Sequence, residues 1–226
     1  MRIPVATAVI FWSAAPAGAQ DMVRSEQANF TVQTIAEGLD HPWALAFLPD
    51  GAMLVTERPG QMRLVSPGGR LGEPITGLPE IRAGGQGGLL DVTPHPGFAG
   101  NRLVYVSFTE PGEGGNSTAV ARGIVSQDGT SLSDVKTIFS QKPKIANMAH
   151  YGSRIVFDGE GHVFITLGDR FEERYRTQSQ ELNSHLGKIV RLNGDGSVPE
   201  DNPFVKTEGA LPEIWSLGHR NVQAAA

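Results

Sequence analysis

The stretch GSRIVFDGEGHVFITLGD, Gly152–Asp169, reads as two apolar strands joined by a glycine-bounded turn. In its second half Val163, Ile165 and Leu167 alternate with His162, Phe164 and Thr166. A period of two puts successive side chains on opposite faces of a strand. Between the halves Gly159-Glu160-Gly161 offers positive φ at low steric cost, which a tight hairpin needs.

The same plan of strand, turn and strand recurs in WALAFLPDGAMLVTE (Trp43–Glu57) and, with a longer turn, in GLLDVTPHPGFAGNRLVYVSF (Gly88–Phe108). Gly187–Asn193 (GKIVRLN) is another strand, and Pro67-Gly68-Gly69, Asp128-Gly129 and Gly194-Asp195-Gly196 are further turns. These features predict antiparallel meanders rather than βαβ units. Each hairpin is followed by a second, so the repeating unit is four strands over roughly 45 to 65 residues, the size of a propeller blade. Three units fit after Asp40, and a fourth is expected to begin at SLGHRN, Ser216–Asn221. A propeller closes by pairing its last blade with its first, so the chain reads as the opening portion of a larger all-β propeller. Only Thr177–Leu186 passes as a short helix, with little apolar face to bury.

Composition narrows the function. The 226 residues carry a net charge of −5 with no run of lysine or arginine, which gives no electrostatic footprint for nucleic acid or anionic lipid. A small or neutral partner fits better. The first residues run from Arg2 through an apolar stretch to Ala17-Gly18-Ala19, the order of a secretory signal peptide cleaved after Ala19. The domain is then expected over residues 20–226, in a periplasmic or secreted protein with no membrane anchor. The absence of cysteine removes disulfides, a lipoprotein anchor and thiolate metal sites.

The remaining chemical candidates are six histidines and nearby carboxylates. No HExxH or similar spacing supports histidine-bound zinc. Ala83–Gly88 (AGGQGG) lacks the Lys-Ser/Thr of a phosphate-binding loop and leads into a strand. His41 and His95 precede prolines and read as turn residues, His162 reads as a solvated hairpin residue, and His185 has no evident partner in sequence. His150 precedes one strand of the Gly152–Asp169 hairpin and Asp169 ends the other, so both belong to the same end of one unit. A carboxylate beside an imidazole fixes its tautomer and raises its basicity, as a general base requires. Gln86, Arg220 and Asn221 occupy comparable positions at the starts of their units, where propellers direct loops toward the central channel and a small-molecule pocket. Two readings stand here: a convergent site, or loop residues with an inter-unit salt bridge at Arg220.

The segments GLDHPWALAFLPDG (Gly38–Gly51), GGQGGLLDVTPHPGF (Gly84–Phe98), HYGSRIVFDGEGHVFITLGDR (His150–Arg170), HLGKIVRLNGDGSVPEDNPF (His185–Phe204) and PEIWSLGHRN (Pro212–Asn221) together resemble the soluble glucose/sorbosone dehydrogenases, in particular the periplasmic aldose sugar dehydrogenases. The resemblance implies a six-bladed β-propeller, of which three blades and the start of a fourth lie in this chain. It implies pyrroloquinoline quinone (PQQ) and calcium as cofactors and an aldose as substrate, with an unidentified electron acceptor. On this likeness His150 is the catalytic base, Asp169 orients it and faces substrate, Gln86 lies beside the sugar, and Arg220 and Asn221 lie beside the quinone carbonyls. The calcium ligands are expected beyond Ala226, and the present stretch alone is expected not to turn over sugar. The family's usual Pro and Gly after His-Arg-Asn are replaced by Val222 and Ala224, which predicts strain if the second position needs positive φ. The rival readings are a calcium-dependent propeller lactonase, with Glu57 as a metal-ligand candidate, and a propeller that only binds carbohydrate or protein.

Overall fold

In the computed structural model, which describes residues 22–226, the apolar runs and their glycine turns form three four-stranded antiparallel sheets. The leader expected at residues 1–19 lies outside the described residues. Contacts divide the chain into two compact units at Ile35. The first contains a small hairpin of β1 (Met22–Arg24) and β2 (Asn29–Thr31).

The second unit carries the three sheets. The first sheet is β3 (Pro42–Phe47), β4 (Met53–Glu57), β5 (Gln61–Val65) and β6 (Leu71–Pro74). The second is β7 (Leu89–Pro94), β8 (Leu103–Gly112), β9 (Gly115–Val125) and β10 (Leu132–Ser140), with the single-turn helix α1 (Phe98–Asn101) between β7 and β8. The third is β11 (Gly152–Phe157), β12 (His162–Leu167), β13 (Lys188–Asn193) and β14 (Ile214–Leu217). Within each sheet the strands pair in sequence order, the simplest meander. These are consecutive blades of a propeller, in the all-β class that the strand periodicity predicts.

The alternation read from sequence acquires its physical meaning between blades. Val104 and Val106 on β8, with Ala119 and Ala121 on β9, pack toward the first blade in a core that includes Leu54, Met62 and Leu89. Their neighbours Tyr105 and Val120 point the other way, into a second core with Ile155, Val163, Ile165 and Val190 of the third blade. The middle blade is therefore apolar on both faces. Burying each such Val, Leu or Phe side chain stabilises the fold by about 1.5–3 kcal/mol. Hydroxyls stitch the same interfaces: Thr56 Oγ1 donates to Leu90 O at 2.5 Å, and Ser107 Oγ donates to Ser153 O at 2.7 Å. Buried Asp91 on β7 accepts from the Ile155 N–H at 2.8 Å and from Arg154 at 2.5 Å, joining β7 to β11.

Two expectations change. Ser216 and Leu217 do not open a fourth blade; they close β14, the last strand of the third sheet. The polar residues that follow lie on the path leading away from an outer strand. The helix expected at Thr177–Leu186 lies earlier, as α2 (Glu173–Arg176) continuing into a 3₁₀ turn over Thr177–Gln180. It stops there because the Gln178 and Ser179 carbonyls are taken by the Lys188 ammonium, and Glu181 turns extended.

Candidate functional site

Gln86 lies on the connection from β6 to β7, His150 on the connection from β10 to β11, and Arg220 and Asn221 just after β14. Asp169 follows β12, at the end of the third blade where β11 begins. The His150 N–H donates to Gln86 Oε1 at 2.8 Å, and His150 Nδ1 lies 2.7 Å from Asp169 Oδ1. The Asp169 N–H donates to the Arg220 carbonyl at 2.8 Å, and Asn221 Oδ1 accepts the Gly152 N–H at 2.9 Å. The sequence candidates from three blade connections thus meet in one network. Gln86 and Asn221 hold backbone through their carbonyl oxygens, and their amide nitrogens have no hydrogen-bond partner among the described residues.

Two local features force this geometry. A Cβ at Gly168 would lie 1.8 Å from the His150 carbonyl oxygen, so only glycine lets the strand carrying Asp169 approach the strand carrying His150. Arg170 is the second. Its guanidinium is fully buried and donates to Ala149 O at 3.0 Å, Asn116 O at 3.1 Å, Asn116 Oδ1 at 2.7 Å and the Asn147 carbonyl. It also lies 4.1 Å from the centroid of the Tyr151 ring. Burial holds its pKa below the ordinary arginine value, partly offset by Tyr151 and Tyr175. Arg170 therefore clamps the loop on which His150 sits. Sequence reasoning assigned it no role, because an arginine after a strand-ending aspartate reads as solvated.

The chemistry follows from which ring nitrogen is occupied. An ionised Asp169 accepts the Nδ1 proton, which leaves the Nε2 lone pair free. Among the described residues Nε2 has no hydrogen-bond partner. The side chains are 12% and 5% exposed, so the pair is shielded from water yet the imidazole remains reachable. Arg220 differs from its expectation in one respect: its carbonyl joins the network, while its side chain is exposed and makes no ion pair among the described residues. The inter-blade salt bridge is therefore not formed there. Arg220 lines a concavity of about 280 Å³ with Asp169, Arg176, Ser179, Gly218 and His219. Burial and the nearby Lys188 ammonium lower the His219 pKa, which keeps that imidazole neutral near pH 7.

The Glucose / Sorbosone dehydrogenase family model matches residues 39–226. The chain belongs to this family. It is 46% identical over 201 residues to the aldose sugar dehydrogenase YliI of Escherichia coli, covering 88% of this chain and 53% of that protein. A crystal structure of a glucose dehydrogenase superposes with a TM-score of 0.81 at 48% identity, covering 84% of this chain and 55% of that one. The PQQ-bound form of an aldose sugar dehydrogenase from Streptomyces coelicolor superposes with a TM-score of 0.72 at 31% identity, covering 84% and 54%. The chain spans about half the length of these dehydrogenases.

The other candidates from sequence make contacts within the fold of this family member. Glu57, the metal-ligand candidate of the lactonase reading, is fully buried; its oxygens accept the Asp40 N–H at 2.5 Å and Arg63 Nε at 2.7 Å. An arginine on one oxygen and a backbone amide on the other give this buried carboxylate a structural role joining β4, β5 and the segment before β3. His95 Nδ1 accepts from the Gly97 N–H at 2.9 Å, as a turn residue should, and the His41 carbonyl accepts from Arg58. His162 is less solvated than expected because Asp158 Oδ2 lies 2.6 Å from its Nδ1 and Arg191 lies 3.3 Å from its Nε2. His185, without a partner in sequence, is buried between the Lys142 N–H at 3.1 Å and Glu213 at 3.4 Å. Neither Val222 nor Ala224 takes positive φ, so the strain predicted there is absent.

Proposed function

We propose that this protein is an exported PQQ-dependent aldose dehydrogenase that oxidises the anomeric carbon of a sugar to the lactone. The observation that carries this reading is the His150–Asp169 pair, with Nδ1 fixed and Nε2 without a partner, where Asp169 also lines a concavity with two arginines, Arg176 and Arg220, that lack carboxylate partners among the described residues. Unpaired guanidinium groups suit an anionic quinone, and the free Asn221 amide is a further donor to it. PQQ, when bound, supplies the two-electron acceptor for the C1 hydride.

The chain's own residues do the rest. Nε2 of His150 accepts the proton of the anomeric hydroxyl as the C1–H bond is broken and the C1=O of the lactone forms. Asp169 keeps the imidazole in the productive tautomer and stabilises the imidazolium that results. Gln86 holds the His150 backbone through Oε1, which leaves its exposed amide nitrogen to donate to a sugar hydroxyl. Arg220 places positive charge where negative charge grows on reduction, the requirement of electrostatic stabilisation. The leader at residues 1–19 would deliver the protein to the periplasm or beyond it.

Calcium does not fit this stretch in the same way. Among the described residues the three-member carboxylate and histidine cluster is Asp158, Glu160 and His162, on the β11–β12 turn. That turn is at the opposite end of the hairpin from His150. No residue of this chain is assigned to calcium.

The test is aldose-dependent dye reduction by the purified full-length protein with and without PQQ. We expect turnover that requires PQQ and is lost in His150→Ala. Metal-dependent lactone hydrolysis without PQQ would favour the lactonase, and sugar binding that His150→Ala leaves intact, without turnover under any cofactor, would favour a binding propeller.

A further inference from the structure

Phe171 stands out in the third blade. It is 49% exposed, joins none of the hydrophobic cores, and its ring lies 5.1 Å from the His150 ring at 86°. It also takes φ +73, directly after Arg170 at +63. Two consecutive left-handed residues other than glycine are unfavourable, and such strain persists only where neighbours over-determine it. Here they do. The Phe171 N–H donates to Asp169 Oδ1 at 2.8 Å, the Glu172 N–H donates to Arg170 O at 2.9 Å, and Asn147 Nδ2 donates to Glu172 Oε1 at 3.0 Å. Arg170 is locked beneath by its buried bonds to Asn116, Asn147 and Ala149.

The fold thus maintains a strained backbone whose result is an aromatic ring, half in water, set edge to face against the imidazole of the base. Core packing does not account for it. We propose that Phe171 is a substrate-positioning wall, against which the apolar C–H face of the sugar packs so that its anomeric hydroxyl meets His150 Nε2. This rests on the dehydrogenase reading for the identity of the ligand as an aldose. A pyranose has a C–H face that an aromatic ring desolvates well, and its hydroxyl edge would remain free for Gln86 and His150. A flat face, rather than bulk alone, is what the site uses.

The test is the affinity of the full-length protein for a 1-deoxy aldose, which keeps the C–H face and lacks the hydroxyl to be oxidised. Binding is measured by titration calorimetry, with the PQQ dissociation constant measured separately. Phe171→Trp should bind the analogue as tightly as the parent or more so. Phe171→Leu should bind it more weakly, and Phe171→Ala about tenfold more weakly, equivalent to about 1.4 kcal/mol, with PQQ affinity unchanged throughout. Phe171→Gly separates packing from strain. Glycine relieves φ +73, so the melting temperature should hold or rise while sugar affinity falls. Equal affinity in parent and Phe171→Ala would overturn the proposal, as would a loss confined to kcat, which would make the ring a water shield, or a loss of PQQ affinity instead of sugar affinity. A protein whose analogue binding depends on Phe171 but which never reduces dye would keep the wall and remove the dehydrogenase. A parent protein that binds no sugar would remove both.

Discussion

His150 Nδ1 and Asp169 Oδ1 are 2.7 Å apart although 19 residues separate them, and the contact exists because β11 starts where β12 ends. One hairpin register therefore sets the tautomer of the candidate base.

Replacing Asp169 by Asn tests that register's chemical purpose. The amide is nearly isosteric, but its NH₂ group can donate to Nδ1 and move the ring proton to Nε2, where it blocks proton abstraction. We expect kcat for aldose oxidation to fall roughly 10²- to 10⁴-fold. The melting temperature should change little, because shape is kept. Retention of at least half the parent kcat would show that the carboxylate is structural.

Gly168→Ala tests the close approach beneath the pair. The added Cβ would sit 1.8 Å from His150 O and 2.3 Å from the carbonyl carbon, both backbone atoms that cannot swing aside. We expect a loss of about 3 kcal/mol or more in urea denaturation, at the upper end of overpacking effects, together with loss of turnover. An alanine variant of parental stability would mean that the two strands part easily here.

Arg170→Met isolates the buried clamp. Methionine fills much of the volume but donates no hydrogen bond, leaving the Asn147 and Ala149 carbonyls unpaired, while Asn116 keeps its bonds from the Ile145 N–H and the Tyr151 hydroxyl. Each such group costs about 1–3 kcal/mol, so a total of about 2–6 kcal/mol is expected in chemical denaturation. Arg170→Lys should recover only part of this, because an ammonium cannot match a planar fork that reaches four acceptors. Full rescue by lysine would show that charge, not geometry, is what the site needs.

The contrast between Asp169 and Arg170 shows what a sequence carries. The blades were legible because period-two alternation and turn glycines act within a few residues, and His150, Gln86 and Asp169 were legible because each flanks such a strand. Arg170 was not, since its burial depends on Asn116, 54 residues earlier on another blade. The surroundings of Glu57 were hidden for the same reason: the donors it accepts from, Asp40 N–H and Arg63, are set by the pairing of β3, β4 and β5. The role of Ser216 and Leu217 depended on strand count, which periodicity alone does not number.

Lys188 offers a test that reads the fold through pH. It is fully buried and donates to the Gln178, Ser179 and Leu186 carbonyls at 2.7, 2.9 and 2.8 Å. Burial pushes its pKa down to about 8 from 10.5, with Glu181 pulling weakly the other way. Between those values the unfolded chain holds a proton that the folded protein has released. The unfolded state then binds more protons, and stability rises with pH through that window. One pKa unit corresponds to about 1.4 kcal/mol, and the three carbonyls favour the charged form, so we expect a gain of about 1–2 kcal/mol. Tyr105 and Tyr151, whose pKa values burial raises above 10.0, act in the opposite sense only at higher pH. Urea denaturation from about pH 8 to about 9.5, below the tyrosine range, should therefore show the parent gaining stability relative to Lys188→Met. A constant difference across that range would mean that the carbonyls alone hold the ammonium near its ordinary pKa.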